Sequence, residues 1–261
     1  MSRRPLLWLN PGDPLPPLDE TWGEHDPVPG LLAAGGSLDV QSLVGAYEHA
    51  AFPWFSDGQP ILWWSPDPRM VLQTAQFRTH RSLGKTIARF VRDPSAEIRF
   101  DSAFEQVIRA CAASRRTGQS GTWIGPGMID AYCALHRAGH AHSVETWAGG
   151  RLVAGLYCVN IGRALFGESM FTTVPDGSKI ALAALVAFSL AHGIATIDCQ
   201  QNTQHLASLG AHEIARADFA ELVRMRRLEA SPRWRFEPVY WSELSSLVAS
   251  QKAARSGFIV A

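Results

Sequence analysis

Leu165-Phe-Gly-Glu168-Ser-Met-Phe171, Ser178–His192 and Ala195-Thr-Ile-Asp198-Cys-Gln200 read in succession as a strand, a helix and a strand. All three are apolar enough to lie in a core, yet the strands carry a carboxylate each and the second ends in an amide. Glu and Asp are rarely buried without a partner or a task. In a strand, residues two apart share a face, so Asp198 and Gln200 are expected to project together, as are Glu168 and Met170. Two carboxylates and an amide beside Met and Phe make a polar rim on an apolar pocket. The competing account is a buried network that merely ties the strands together. Such a network is costly unless every member is satisfied, so an enzyme is the favoured reading.

Outward from this segment, helix and strand patterns alternate. Arg78–Arg92 reads as a basic helix. Asp101 is placed to cap a helix with apolar positions Phe104, Val107, Ile108 and Cys111 at the helical period. Pro126 suits the first turn of another helix. Ala141–Trp147, Leu152–Ile161 and Ala164–Phe171 read as strands, His205–Leu209 as a short helix, His212–Ala215 as a last strand and Asp218–Leu228 as a closing helix. Upstream, residues 1–36 are rich in Pro and Gly and read as an irregular arm. Leu38–Ala50 is a short helix capped by Ser37 or Asp39. The Trp/Pro-dense stretch from Phe52 to Arg69 excludes a helix. The expected class is α/β or α+β with a mixed sheet. The expected units are residues 1–74 (a small domain with its arm), 75–245 (the main domain) and 246–261 (a tail).

A chain of 261 residues, 46% apolar and 18% charged, can bury one good core and a second small one. It has no run long enough for a membrane span and no leader-like stretch, so a cytoplasmic protein is expected. Cys111, Cys133, Cys158 and Cys199 are scattered in apolar surroundings, as buried thiols are. Residues 1–60 carry two arginines and eight acids, a balance of −6, which leaves +6 on the remainder of a neutral chain. The asymmetry is compatible with a polyanion partner for the second part.

Several motifs compete for the chemistry. Gly167-Glu-Ser169 begins like a nucleophile elbow, with Asp198 and His205 following in hydrolase order. Phe171 stands where the second elbow glycine belongs, which leaves a serine hydrolase using Ser169 as the alternative enzyme. Cys133, His136, His140 and His142 crowd like metal ligands, but a helix break at Gly139 favours ordinary core and surface roles, and no metal or cofactor is expected. Ser82-Leu-Gly-Lys85 matches a cheap pattern without its partner motifs. Arg115-Arg-Thr-Gly-Gln-Ser-Gly121 is equally a phosphate cradle or a flexible loop. Trp54, Trp63, Trp64 and Trp123 lie beside turns, where tryptophan near arginine offers a stacking platform for bases.

Nine stretches in this order resemble the leucyl/phenylalanyl-tRNA–protein transferase family. They are Gly30-Leu-Leu-Ala-Ala-Gly-Gly36, Phe52-Pro-Trp-Phe55, Trp63-Trp-Ser-Pro-Asp-Pro-Arg69, Thr122-Trp-Ile124, Ala141-His-Ser-Val-Glu145, Gly167-Glu-Ser-Met-Phe171, Ser178-Lys179, Asp198-Cys-Gln200 and Ser208-Leu-Gly-Ala211. The resemblance spans residues 28–228. It implies an α+β chain: a small N-terminal α/β domain and a C-terminal domain resembling the acyl-CoA N-acyltransferase (GNAT) fold. It also implies transfer of Leu or Phe (Met less well) from aminoacyl-tRNA to proteins beginning with Arg or Lys, which marks them for N-end rule degradation.

The chain departs from the family's pattern at Ser37, at Ala50-Ala51, and at Leu185 and Ser189 in the helix after Lys179. The last change bears on the choice between Leu and Phe. By resemblance, Asp198 orients or deprotonates the acceptor amine, directly or through Gln200. Gln200 also polarises the ester carbonyl, and Glu168 meets the acceptor's positive charge. Leu156, Met170 and Phe188 contribute to the amino-acid pocket, and Trp63 or Trp64 stacks with Trp123 on the terminal adenosine. Arg78, Arg81, Lys85, Arg89, Arg115 and Arg116 meet acceptor-stem phosphates. The expected partners are Leu-tRNA, Phe-tRNA and acceptor proteins with N-terminal Arg or Lys, handled by a monomer away from any membrane. A non-catalytic tRNA-binding module is the remaining alternative.

Overall fold

A computed structural model describes residues 5–114 and 123–257. Its first part contains β1 (Leu7–Leu9), β2 (Leu31–Gly35), helix α1 (Val40–Glu48), β3 (Phe52–Pro53) and β4 (Leu62–Trp64). These strands form a four-stranded sheet in the order β1-β2-β4-β3, parallel only between β1 and β2. The arm expected over residues 1–36 therefore includes two strands. β2 (Leu-Leu-Ala-Ala-Gly) is nearly all apolar because it is buried, so it lacks the alternation that marks a half-exposed strand. Asp39 caps α1, its carboxylate accepting from the Ser42 amide.

The second part runs β5 (Arg69–Gln73), α2 (Arg81–Arg92), β6 (Ala96–Phe100), α3 (Phe104–Ala113), α4 (Pro126–Arg137), β7 (Ala141–Ala148), β8 (Arg151–Ile161), β9 (Ala164–Thr172), α5 (Gly177–Ala191), β10 (Thr196–Gln200), α6 (Gln204–Ser208), β11 (His212–Ile214), α7 (Arg216–Arg226) and α8 (Trp241–Gly257). Its seven-stranded sheet has the order β11-β5-β10-β9-β8-β7-β6. β6 to β9 are an antiparallel meander. The crossover through α5 then lays β10 parallel to β9. At the level of two mixed sheets with helices, the α+β expectation holds.

β5 lies inside this large sheet, between β10 and β11, although its residues precede the boundary expected at 74. Its Met-Val-Leu run pairs on both sides, so the chain enters the second unit at Arg69. The tail expected from 246 is likewise part of a continuous helix. α8 buries Leu244 against the core and packs on α5. Asp101 does not cap α3. The buried Glu145 accepts from the Ala103 amide instead, while Asp101 accepts from the Ser143 amide.

Helices cover both sheet faces. On β8, Leu156 and Cys158 face a core shared with α2, α5 and α8, and Tyr157, Val159 and Ile161 face one shared with α1, α3, α4 and α7. α5 is apolar all round because sheet, α2 and α8 surround it. Each large side chain it fully buries is worth about 1.5–3 kcal/mol. Among the described residues no helix is long and apolar enough to cross a membrane.

Candidate active site

β9 and β10 pair only at Leu165–Phe166 and Ile197–Asp198, and then part. Both strands are bulged where they separate. On β9, Glu168 is the extra residue between the pairs Gly167–Cys158 and Ser169–Tyr157. On β10, Cys199 is the extra residue between Asp198–Val71 and Gln200–Met70, and Gln200 takes a left-handed φ of 62°. Bulges re-aim side chains and are frequent beside active sites, and a non-glycine residue at positive φ marks a place worth reading for function.

A cavity of about 470 Å³ opens in the gap. Leu156, Met170, Leu182, Leu185 and Leu206 make it apolar on one side, and Phe52, Trp54 and Trp123 give it an aromatic wall. Glu168, Asp198 and Gln200 supply its polar groups. An apolar chamber with a few convergent polar groups suits a small, largely apolar ligand.

The polar groups are tightly organised. Asp198 is 1% exposed. Arg69 Nε donates to its Oδ1 at 2.8 Å and Nη2 to its Oδ2 at 2.6 Å. The Gln200 amide donates to Oδ1 at 2.9 Å. The Arg69 guanidinium also donates to the Ala50 carbonyl at 3.1 Å and lies between the rings of Phe52 and Phe219. A bidentate, stacked site of this kind is specific for arginine.

Glu168, 9% exposed, accepts from the Tyr47 hydroxyl at 2.8 Å and from Gln200 Nε2 at 3.0 Å, both on Oε1. Tyr132 donates more weakly to Oε2 at 3.4 Å and lies 2.5 Å from the Tyr47 oxygen. Burial pushes the Glu168 carboxyl up to about 7, with Tyr47 opposing the rise and the charge of Asp198 adding to it. Burial and the nearby carboxylate hold both tyrosines well above the usual phenol value, so both stay protonated donors. Glu168 thus exchanges a proton near neutrality, and the Asp198 oxygens are occupied by donors from Arg69 and the Gln200 backbone.

Of the nine residues expected from sequence to act on or bind the aminoacyl end, six, Leu156, Met170, Trp123, Glu168, Asp198 and Gln200, line this one cavity. Three do not. Trp63 is 2% exposed and packs inside the small sheet, donating to the Gly35 carbonyl. Trp64 donates to the Trp54 carbonyl and backs the ring of Trp54, which is the tryptophan that reaches the cavity. Phe188 is fully buried among Phe100, Trp234 and Tyr240. On α5 it is Leu185 and Leu182, about one and two turns earlier, that face the cavity.

Arg78, Arg81 and Lys85 line a separate groove beside α2, which Arg89 does not line. Arg115 and Arg116 lie outside the described residues. His205 lines the cavity, but Asp198 is held by Arg69, so no Ser169–His205–Asp198 triad is assembled. Of the crowded Cys and His residues, only His136 and His142 come together, beside Asp101. His142 bonds Asp101 at 2.7 Å, His136 bonds the Ala141 carbonyl at 2.8 Å, and their rings stack on Trp234 and Phe104 respectively.

Sequence reading passed over Arg69, Tyr47 and Tyr132. An arginine leading directly into the Met-Val-Leu run was the available signal for the first. The tyrosines gave none beyond a helical face.

The sequence profile of the leucyl/phenylalanyl-tRNA protein transferase family matches residues 71–224, and the profile of that family's N-terminal domain matches residues 36–67. Three relatives carry the name leucyl/phenylalanyl-tRNA–protein transferase. The Polaromonas sp. protein is 62% identical and covers 92% of this chain and 94% of its own length. Those of Albidiferax ferrireducens and Leptothrix cholodnii are 59% and 58% identical, each over 92% of this chain, with 94% and 95% of their own lengths covered. Among solved structures, L-PGS from Bacillus licheniformis aligns with a TM-score of 0.36 and 12% identity, over 83% of this chain and 72% of that one, too little similarity to identify a fold. Together with the motif series, the profile and the long relatives identify the chain as a member of the leucyl/phenylalanyl-tRNA–protein transferase family.

Proposed function

We propose that this chain transfers leucine or phenylalanine from aminoacyl-tRNA to the N-terminal amine of proteins that begin with Arg or Lys. One observation carries the reading. An apolar chamber and an aromatic wall meet at a buried carboxyl whose protonation changes near neutrality. The donor ester is already activated, so no enzyme nucleophile is needed. The chain has to align an amine on the ester carbonyl, take a proton from it and steady the developing oxyanion.

The donor side chain enters among Leu156, Met170 and Leu185, while Trp54 and Trp123 stack on the terminal adenosine. Ionised Glu168 takes a proton from the acceptor's ammonium. The freed amine attacks the carbonyl carbon, the C–N bond forms, the C–O bond to the ribose breaks, and a proton passes to the departing ribose oxygen. With its Nε2 donating to Glu168, Gln200 has its carbonyl oxygen available to accept from the amine. Asp198 acts as an orienting group that fixes the Gln200 backbone, since its own oxygens are filled by Arg69. Positioning can supply about 7–11 kcal/mol in ideal geometry, and base catalysis roughly 10²–10⁴-fold.

The antiparallel meander, helical crossover and parallel strand support the GNAT-like reading of residues 69–257, with the preceding strands as a smaller unit. A monomer working in the cytoplasm and marking acceptors for N-end rule degradation completes the proposal. The test offers the chain labelled Leu-tRNA and Phe-tRNA with peptides beginning in Arg, Lys or Ala. Label is expected on the first two peptides. An intact ester, or labelling of Ser169 by a fluorophosphonate, would overturn the reading.

A further inference from the structure

α2 and α8 border a second and larger concavity, of about 1030 Å³. Arg78, Arg81, Lys85 and Arg92 line it from the α2 side and Lys252 from α8, and no carboxylate is among the described lining residues. Arg81 and Lys85 are i, i+4 neighbours on α2 and stand side by side. None of the four α2-side arginines and lysines has a carboxylate partner among the described residues. Both walls are fixed. α8 is anchored by buried Leu244, and Gln251 Nε2 donates to the carbonyls of Ala75 and Phe77 just ahead of α2.

The groove is also joined to the active-site cavity. The Arg78 amide donates to the Leu209 carbonyl, and the His80 ring bonds the Ser208 carbonyl. These contacts seat α6, whose His205 and Leu206 line the cavity. α6 thus stands between the cavity and the cations of the groove.

We propose that α8 is the second wall of a nucleic-acid groove, so that the acceptor stem of the tRNA passes between α2 and α8 with phosphates on Arg92 and Lys252. The proposal rests on the reading of aminoacyl-tRNA as donor. Charge favours RNA as the occupant, because Arg78, Arg81, Lys85 and Arg92 line the groove with no acid among its described lining residues, and such a surface holds a polyanion through counterion release. Neither Arg92 nor any residue of α8 belongs to the site described above.

The test measures equilibrium binding of fluorescent, uncharged tRNA to wild type, Arg92→Ala and Lys252→Ala across a salt series. Each variant is expected to bind about three- to tenfold more weakly at low salt and to lower the slope of log K against log salt by about 1. In steady-state transfer, KM for full-length aminoacyl-tRNA should rise relative to KM for an aminoacyl-CCA trinucleotide, which is too short to reach the groove. Unmoved affinity and slope in Lys252→Ala would make α8 a packing element only and overturn the proposal. Polyglutamate competing as well as tRNA would assign the groove to an acidic protein and overturn it equally. Binding with the expected slope but no transfer by wild type would sink the proposed reaction and leave the groove standing.

Discussion

Replacing Glu168 with Gln removes an ionisable proton while nearly keeping shape, so its effect should depend on pH in a calculable way. The folded carboxyl titrates at about 7, against an ordinary value of 4.5. That difference corresponds to on the order of 3 kcal/mol. The sign follows from the direction of the rise. Below pH 4.5 the side chain is neutral in folded and unfolded chains alike. From pH 4.5 upward the unfolded chain ionises first, so wild-type stability falls until the folded carboxyl ionises at about 7 and is level above it, whereas the variant does not change. Glu168→Gln should therefore match wild-type stability near pH 4.5–5 and exceed it by on the order of 3 kcal/mol above pH 8. For a chain of this size that is about 6–12 °C in Tm. Activity should move the other way, with kcat/KM falling by roughly 10²–10⁴-fold if the carboxylate is the proton acceptor. Urea titrations at pH 5 and pH 8.5, with brief transfer assays on the same preparations, measure both. A stability difference that is the same at the two pH values would refute the assignment of the raised carboxyl to Glu168.

Three further outcomes are expected. Arg69→Met strands a fully buried Asp198 carboxylate and should cost about 3–5 kcal/mol. Arg69→Met/Asp198→Leu should recover most of that stability in chemical denaturation but not the transfer activity. Tyr47→Phe removes the donor that opposes the rise at Glu168, so the acid limb of the kcat/KM profile should move to higher pH, costing more activity at pH 7 than at pH 9. Trp54→Ala should raise KM for the aminoacyl-tRNA donor by about tenfold, in line with about 1–3 kcal/mol per stacked base, and Trp64→Ala should do less.

Legibility in the sequence followed the kind of interaction each residue makes. The meander and α5 were readable because their apolar runs are long and flanked by turns. β5 and β2 were not, since short strands buried on both faces have no alternation. α8 carries too little periodicity to stand out, and only its packing on α5 makes it a helix worth noticing. At the site, Glu168, Asp198 and Gln200 were legible as polar residues on core strands. The inference that Asp198 and Gln200 project together by simple alternation omitted the bulge at Cys199, which needs knowledge of the pairing partner. Whether Asp198 orients or deprotonates the amine was left open by sequence, because its arginine partner comes 129 positions earlier. Trp63 and Trp64 were favoured over Trp54 because exposure beside turns was inferred from neighbours, whereas the small sheet decides which indole faces in.

β5 also has a consequence for the order in which the molecule is built. It is the first strand of the large sheet to leave the ribosome, yet its hydrogen-bonding partners are β10 and β11, more than a hundred residues later. The hairpins from β7 to β9 can form from near neighbours while synthesis continues, because their pairings close short loops. β5 has to wait, carrying Arg69 with it, and the pairing that completes the sheet also brings Arg69 to Asp198. The reaction centre is thus assembled through a long-range contact, Arg69 and Asp198 lying 129 positions apart. A nascent chain stopped near residue 195 would hold a meander and no active site, so catalytic competence arrives together with the closing of the sheet.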